Sequence, residues 1–214
     1  MKKLVLLLYL LSFVSYSLAY NVEQTQKDTN LDLHYPLVYL DNATAQKNIN
    51  TDIAQIVEES KDAYYNRGKH TVKLVYQIMY ENDTLLSILF EQYFYTPGSG
   101  ILGIKHENYG FVYDKHTGKK IPLSYFVRIN NIEQIQFHLH SGLLKVIDAQ
   151  GNSYKNISNL KLPNYISDQY YLYGDGSVYL IYPRSSFTGP TMFGTSKRII
   201  FSKDTIDYFN RMNK

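Results

Sequence analysis

TVKLVYQIMYENDTLLSILFEQYFY, Thr71 to Tyr95, is the stretch whose reading decides the fold. Its arms, Thr71 to Glu81 and Thr84 to Tyr95, are rich in Val, Ile, Leu, Phe and Tyr, side chains that suit a half-buried pleated surface. Asn82-Asp83 between them tolerate positive φ, so the arms predict a long antiparallel hairpin with a two-residue turn. Upstream the period changes. Ala45, Ile49, Ile53, Ile56, Val57 and Tyr64 recur at helical spacing from Asn42 to Arg67, with Asn42 or Thr44 as N-cap and Gly68 just past the end, which predicts an amphipathic helix with one buried stripe.

Downstream, Thr96 to His106 is a glycine-rich loop, and Tyr109 to Asp114 reads as a strand closed by the turn Lys115 to Lys119, with Ile121 to Leu123 as its partner. Ile132, Ile135, Leu139, Leu143 and Val146 or Ile147 share a helical face, which predicts a second helix from Asn131 to near Gly151 despite Gly142. Tyr170 to Tyr173 and Ser177 to Tyr182 flank Gly174-Asp175-Gly176, a hairpin signal in which glycine supplies positive φ. Lys197 to Phe201 reads as a last strand, and Asp204 to Asn210 as a short helix capped by Ser202 or Asp204. Strands arriving in hairpins point to an α+β fold, an antiparallel sheet with two main amphipathic helices on one face.

The N-terminus belongs to a different class of segment. Lys2 and Lys3 precede an apolar run from Leu4 to Val14, and Ser17-Leu18-Ala19 provides small residues for a signal peptidase. The apolar run is shorter than the ~20 residues a spanning helix needs. Residues 1–19 are therefore expected to be a cleaved signal peptide, 20–32 a flexible lead-in and 33–214 a single domain in a secreted or periplasmic protein. No cysteine is present for lipid attachment, and that absence also excludes disulfides, cysteine-ligated zinc and thiol nucleophiles.

Lys2 and Lys3 are two of the 22 basic residues set against 19 acidic ones, so the rest of the chain is nearly neutral. No run of like charges suggests nucleic acid or a membrane surface. Tyrosine dominates instead, with 22 copies and no tryptophan.

Gly98-Ser99-Gly100-Ile101-Leu102-Gly103 matches a dinucleotide fingerprint on paper. The segment after it reads as a strand, whereas the pyrophosphate needs a helix N-terminus, so no cofactor is assigned. His138-Leu139-His140 on a helix point apart and cannot share a metal ion. His106-Glu107 and Asp114-x-His116 remain isolated acid/base pairs, and Asp114, Asp168 and Asp175 sit at turns where aspartate bonds local backbone. No catalytic or metal set is assigned. Tyr171, Tyr173, Tyr179 and Tyr182, with Tyr170, either form an aromatic recognition platform or pair across the sheet. The sequons at Asn42, Asn82 and Asn156 matter only in a eukaryotic secretory route.

Leu33-His34-Tyr35-Pro36, Lys47-Asn48-Ile49-Asn50, Gly110-Phe111-Val112-Tyr113-Asp114 and Thr117 to Leu123 follow one another in an order that resembles a known family. Tyr170 to Val178 and Phe187-Thr188-Gly189-Pro190 agree with it. That family is the bacterial extracytoplasmic domain of unknown function found in RsiV-type anti-sigma factors, where it binds lysozyme, and beside the peptidoglycan deacetylase PdaC. Two departures stand out. With a signal peptide at its start, the protein is expected to lack the sigma-binding, spanning and deacetylase segments, and Pro97-Gly98-Ser99-Gly100 and Arg184 replace the family's Gly-Gly-Ala-His loop and an acidic residue. The resemblance implies a secreted cell-envelope binding module for a lysozyme-like protein or peptidoglycan; the alternative is a cell-wall enzyme using groups such as His106, Glu107 or His138.

Overall fold

In the computed structural model, residues 20–98, 104–154, 157, 161–187 and 196–214 are described. The expected signal peptide, most of the glycine-rich motif and the Thr188-Gly189-Pro190 loop lie outside the described residues.

Asn42 begins helix α1, Ala43–Tyr65, by accepting hydrogen bonds from the Thr44 and Ala45 amides, two of the four donors a helix start leaves open. Ala45, Ile49, Ile53, Ile56 and Val57 lie in its buried stripe as their spacing predicts, with Ser60 and Ala63 completing it, while Tyr64 is half-buried. The stripe lies against a five-stranded sheet, sheet A, in the order β1-β2-β3-β4-β5. Its strands are β1 Tyr20–Asp28, β2 Leu31–Tyr39, β3 Thr71–Glu81, β4 Leu85–Tyr95 and β5 Ile104–Asp114.

The deciding hairpin is present as β3 and β4. Its turn works differently from the expectation, because no residue other than glycine takes positive φ among the described residues. The Asn82 side chain accepts from the Thr84 and Leu85 amides and closes the turn together with the Asn82 N–H, which donates to the Leu85 carbonyl. The register shifts between Ile78 and Tyr80, a bulge at Met79. Sheet A is antiparallel except where β2 meets β3, which run parallel because α1 returns the chain between them.

Residues 20–32 are a correction. The expected flexible lead-in is β1 and the start of β2, paired over nine residues from Tyr20↔Tyr39 to Asp28↔Leu31. The single sheet is a second one. Strands β6 Lys145–Asp148, β7 Tyr170–Leu172, β8 Val178–Tyr182 and β9 Lys197–Phe201 form sheet B in the order β6-β9-β8-β7.

Helix α2, Ile132–His140, is shorter than its period suggests. Gly142 takes φ +79, and the Gly142 and Leu144 amides bond back to Leu139 and His138 carbonyls, a glycine-terminated helix end. The apolar residues after it become β6. Helix α3, Lys203–Met212, is capped by Ser202. Helices α2 and α3 pack with sheet B in a core containing Ile135, Leu139, Ile199 and Phe209, whereas α1 packs on sheet A, so the two main helices do not share one sheet face.

The sheets meet where β7 crosses β4 and β5. Ser87 on β4 holds the edge of β7, its hydroxyl bonding the Leu172 amide at 2.9 Å and carbonyl at 3.3 Å. At Gly110 on β5 an added Cβ would lie 2.3 Å from the Tyr170 carbonyl oxygen, so glycine is what lets the layers touch.

Candidate functional site

Directly paired residues of a sheet share a face. Glu91↔Asn108 and Tyr93↔His106 therefore place four polar groups on the side of sheet A turned towards sheet B. The pairs Tyr171↔Tyr179, Tyr179↔Ile200 and Ile181↔Arg198 define one face of sheet B. Tyr171 and Ile181 from it share a small cluster with Leu89 of sheet A.

The two faces are joined by charge. Arg198, 7% exposed, bonds Glu91 through Nη2 at 2.9 Å, and its guanidinium lies 5.5 Å from the Tyr171 ring centroid. A buried arginine needs such a carboxylate because its charge cannot be shed. Asn108 completes the cluster. Its amide nitrogen donates to His106 Nε2, and its oxygen accepts from Ser196 Oγ at 2.8 Å and Arg198 Nη2 at 3.3 Å. The His106 ring stacks on Tyr93 at 4.2 Å.

Burial holds the His106 pKa below the ordinary imidazole value, Glu91 opposing and Arg198 reinforcing the shift. Its Nδ1 and the Nε of Arg198 are buried and find no hydrogen-bond partner among the described residues. Glu91 and Asn108, both bonded to Arg198, join the sheets, and the neutral imidazole packs beside them against Tyr93. Sequence reading missed the pair because Glu91 and Arg198 are 107 residues apart.

The four tyrosines separate. Tyr182 is fully buried, its hydroxyl donating to the Tyr165 carbonyl, and Tyr171 is 1% exposed. Neither presents surface to a ligand, which removes both from a recognition platform. Tyr179 is half-buried and stacks on Tyr171 at 5.0 Å; Tyr173, 45% exposed, lies 5.3 Å from Tyr179. A three-ring stair thus rises from the core to the Gly174-Asp175-Gly176 turn. Gly176 has φ +85 there, and Asp175 accepts from the Ser177 amide, which lowers its pKa.

The acid/base candidates stay apart. Glu107 accepts from the Tyr109 hydroxyl and pairs with Lys105, while His106, its neighbour on the strand, points to the opposite face. Asp114 accepts from the His116 and Thr117 amides, a local turn. His138 is buried on α2 against Tyr208 and Phe209, whereas His140 is exposed. No group of three His, Asp or Glu side chains suited to a metal ion occurs among the described residues. A groove of about 650 Å³ is lined mainly by the segments 120–129 and 166–169, including Lys120, Ile121, Leu123 and Asp168, together with Phe111 of β5 and Tyr170 of β7; the Lys120 ammonium lies 4.4 Å from the Phe111 ring centroid.

Burial lowers the pKa of His138 as well as that of His106. The unfolded chain then takes up protons before the folded one does. Stability present above the ordinary imidazole value of about 6.5 is lost as pH falls through it towards the lower folded values. We expect the melting temperature to drop between about pH 7.5 and pH 5. His138→Phe, which keeps a ring against Phe209, should flatten that slope; an unchanged slope would remove His138 from the account.

No protein-family profile matches the chain, and no curated protein sequence does. Solved structures do resemble it. A member of the DUF3298 family from Bacteroides fragilis NCTC 9343 superposes with a TM-score of 0.60 at 11% identity, covering 89% of this chain and 91% of that one. A DUF3298 family protein from Pseudomonas aeruginosa PAO1 gives 0.50 at 12% identity, covering 89% and 92%. The chain is therefore similar in fold, over nearly its whole length, to bacterial proteins of the DUF3298 family, a domain of unknown function.

Proposed function

We propose that this protein is a secreted binding module of the bacterial cell envelope, acting outside the cytoplasm after loss of residues 1–19 and recognising a lysozyme-like protein or peptidoglycan. The observation that carries the reading is the tyrosine stair. Tyr173 and the outer edge of Tyr179 offer apolar area with polar tips at low entropic cost, held in place by the buried ring of Tyr171. The sequence resemblance to the RsiV-type extracytoplasmic domain supplies the partner class. Dispersal of His106, Glu107 and His138 over separate environments favours recognition over catalysis.

The test separates binding from folding. Purified protein is titrated with lysozyme and with insoluble peptidoglycan. Tyr173→Ala should weaken binding about tenfold or more while leaving the melting temperature within about 2 °C of the parent. Tyr171→Ala should lower the melting temperature by about 5 °C or more. Binding of neither probe, or full binding by Tyr173→Ala, would refute the assignment. Mass spectrometry of the exported product should find Tyr20 as its first residue; a chain that retains Met1 in a membrane pellet would refute the compartment.

A further inference from the structure

We propose that the outer edge of β1 is a self-association site, joining two copies of this chain through one antiparallel strand pair with Thr25 on the two-fold axis. Pro36 stands opposite Glu23 and, having no N–H, cannot complete a hydrogen-bonded pair with it. Val38, opposite Asn21, has both backbone groups taken by the Asn50 side chain, at 2.9 Å from its N–H and 2.8 Å from its carbonyl. The even-numbered residues of β2 thus turn their backbone groups away from β1. Their odd-numbered partners on β1 turn theirs outward.

Glu23, Thr25 and Lys27 consequently each present an N–H and a carbonyl along the free edge, with no backbone partner among the described residues. The strand contains no proline, and its pairing with β2 runs without a bulge, so the edge is regular. A lysine on an exposed edge normally discourages pairing. Here the pattern is self-complementary. Two such edges can bond only odd residue to odd residue. The register centred on Thr25 sets Glu23 of each copy opposite Lys27 of the other, twice by symmetry, with Thr25 facing Thr25. A register shifted by one step sets Thr25 against Glu23 or Lys27 and leaves a charge without its opposite.

Both charged side chains reach solvent, Lys27 being 65% and Glu23 55% exposed, and the Glu23 carboxylate, bonded through Oε1 to His34 Nδ1 at 2.7 Å, has to keep or exchange that partner when it meets Lys27. Lys27 is held only loosely at home, 3.7 Å from Asp32. A single strand edge buries less than a standard interface, so association should be weak.

Sedimentation equilibrium of the purified protein from about 10 µM to about 1 mM reads the outcome. The expected result is a mass rising towards the dimer, with hydrogen-exchange protection of the Glu23, Thr25 and Lys27 amides rising with concentration. Lys27→Glu should weaken association about tenfold, and Glu23→Lys with Lys27→Glu should restore it. Thr25→Pro, which deletes the N–H on the axis, should abolish it. A monomer throughout, association unaffected by Lys27→Glu and Thr25→Pro, or a charge-swapped protein as weak as Lys27→Glu would each overturn the proposal.

Discussion

Ile53→Asp should unfold the protein. Ile53 is 2% exposed in the middle of the α1 stripe, within the core that α1 shares with sheet A. The change removes a fully packed aliphatic side chain and puts a carboxylate where none of its neighbours in the stripe, Ile49, Ile56 and Val57, can pair with it. A loss of more than about 4 kcal/mol is expected, against a total stability of ~5–15 kcal/mol for an ordinary domain. Circular dichroism of the purified variant should show no cooperative melt near that of the parent. A parental melting curve would mean that the buried face of α1 is wrongly assigned.

Gly110→Ala should cost about 3 kcal/mol, towards the upper end for overpacking. The new methyl would lie 2.3 Å from the Tyr170 carbonyl oxygen, 2.6 Å from its carbonyl carbon and 2.9 Å from Ile181 Cδ1. Two of these are backbone atoms, so no rotamer change relieves the clash. The sheets have to part, which strains the Ser87 bonds to Leu172 and draws Arg198 away from Glu91. Urea denaturation measures the loss, and a change below about 0.5 kcal/mol would show that β7 yields more easily than its bonds suggest. Gly174→Ala provides the contrast, because nothing lies within 4 Å of the added methyl there and its backbone is not in the positive-φ region.

What the sequence made legible follows the range of the forces involved. Helix α1 could be read because Ala45 to Ala63 repeat at one period and Asn42 caps them, a local matter. The β3–β4 and β7–β8 hairpins could be read because their turns adjoin their strands. Strand β1 was hidden. Of Tyr20 to Asp28 only Tyr20 and Val22 are apolar, and the segment is ordered by its ladder to β2 rather than by its own composition. Helix α2 was overextended because Leu143, Val146 and Ile147 fit a helical period as well as a strand, and only the conformation at Gly142 decides between them.

The division into two sheets was hidden for the same reason as the Glu91–Arg198 pair: both depend on segments far apart in the chain. Of the tyrosine set, alternation along β7 and β8 separates Tyr171 and Tyr179 from Tyr182 but not buried from exposed, because Tyr182 packs in the core shared with α2 and α3 and Tyr171 packs against sheet A. The hairpin alone reveals neither cover.

The strand order β6-β9-β8-β7 also governs the timing of assembly. Sheet A and its helix draw on residues 20–114, and every neighbour in that sheet is the next strand in the chain. They can nucleate while the C-terminal half is still emerging. Sheet B cannot. Its inner strand β9 bridges β6 and β8, yet it follows both of them in the chain. Until it arrives, β6 has only its local bridge to Ser153, and Glu91 lacks Arg198. A chain emerging from its N-terminus would finish half of its architecture early and seal the other half only once β9 has followed, with a buried ion pair as the last lock.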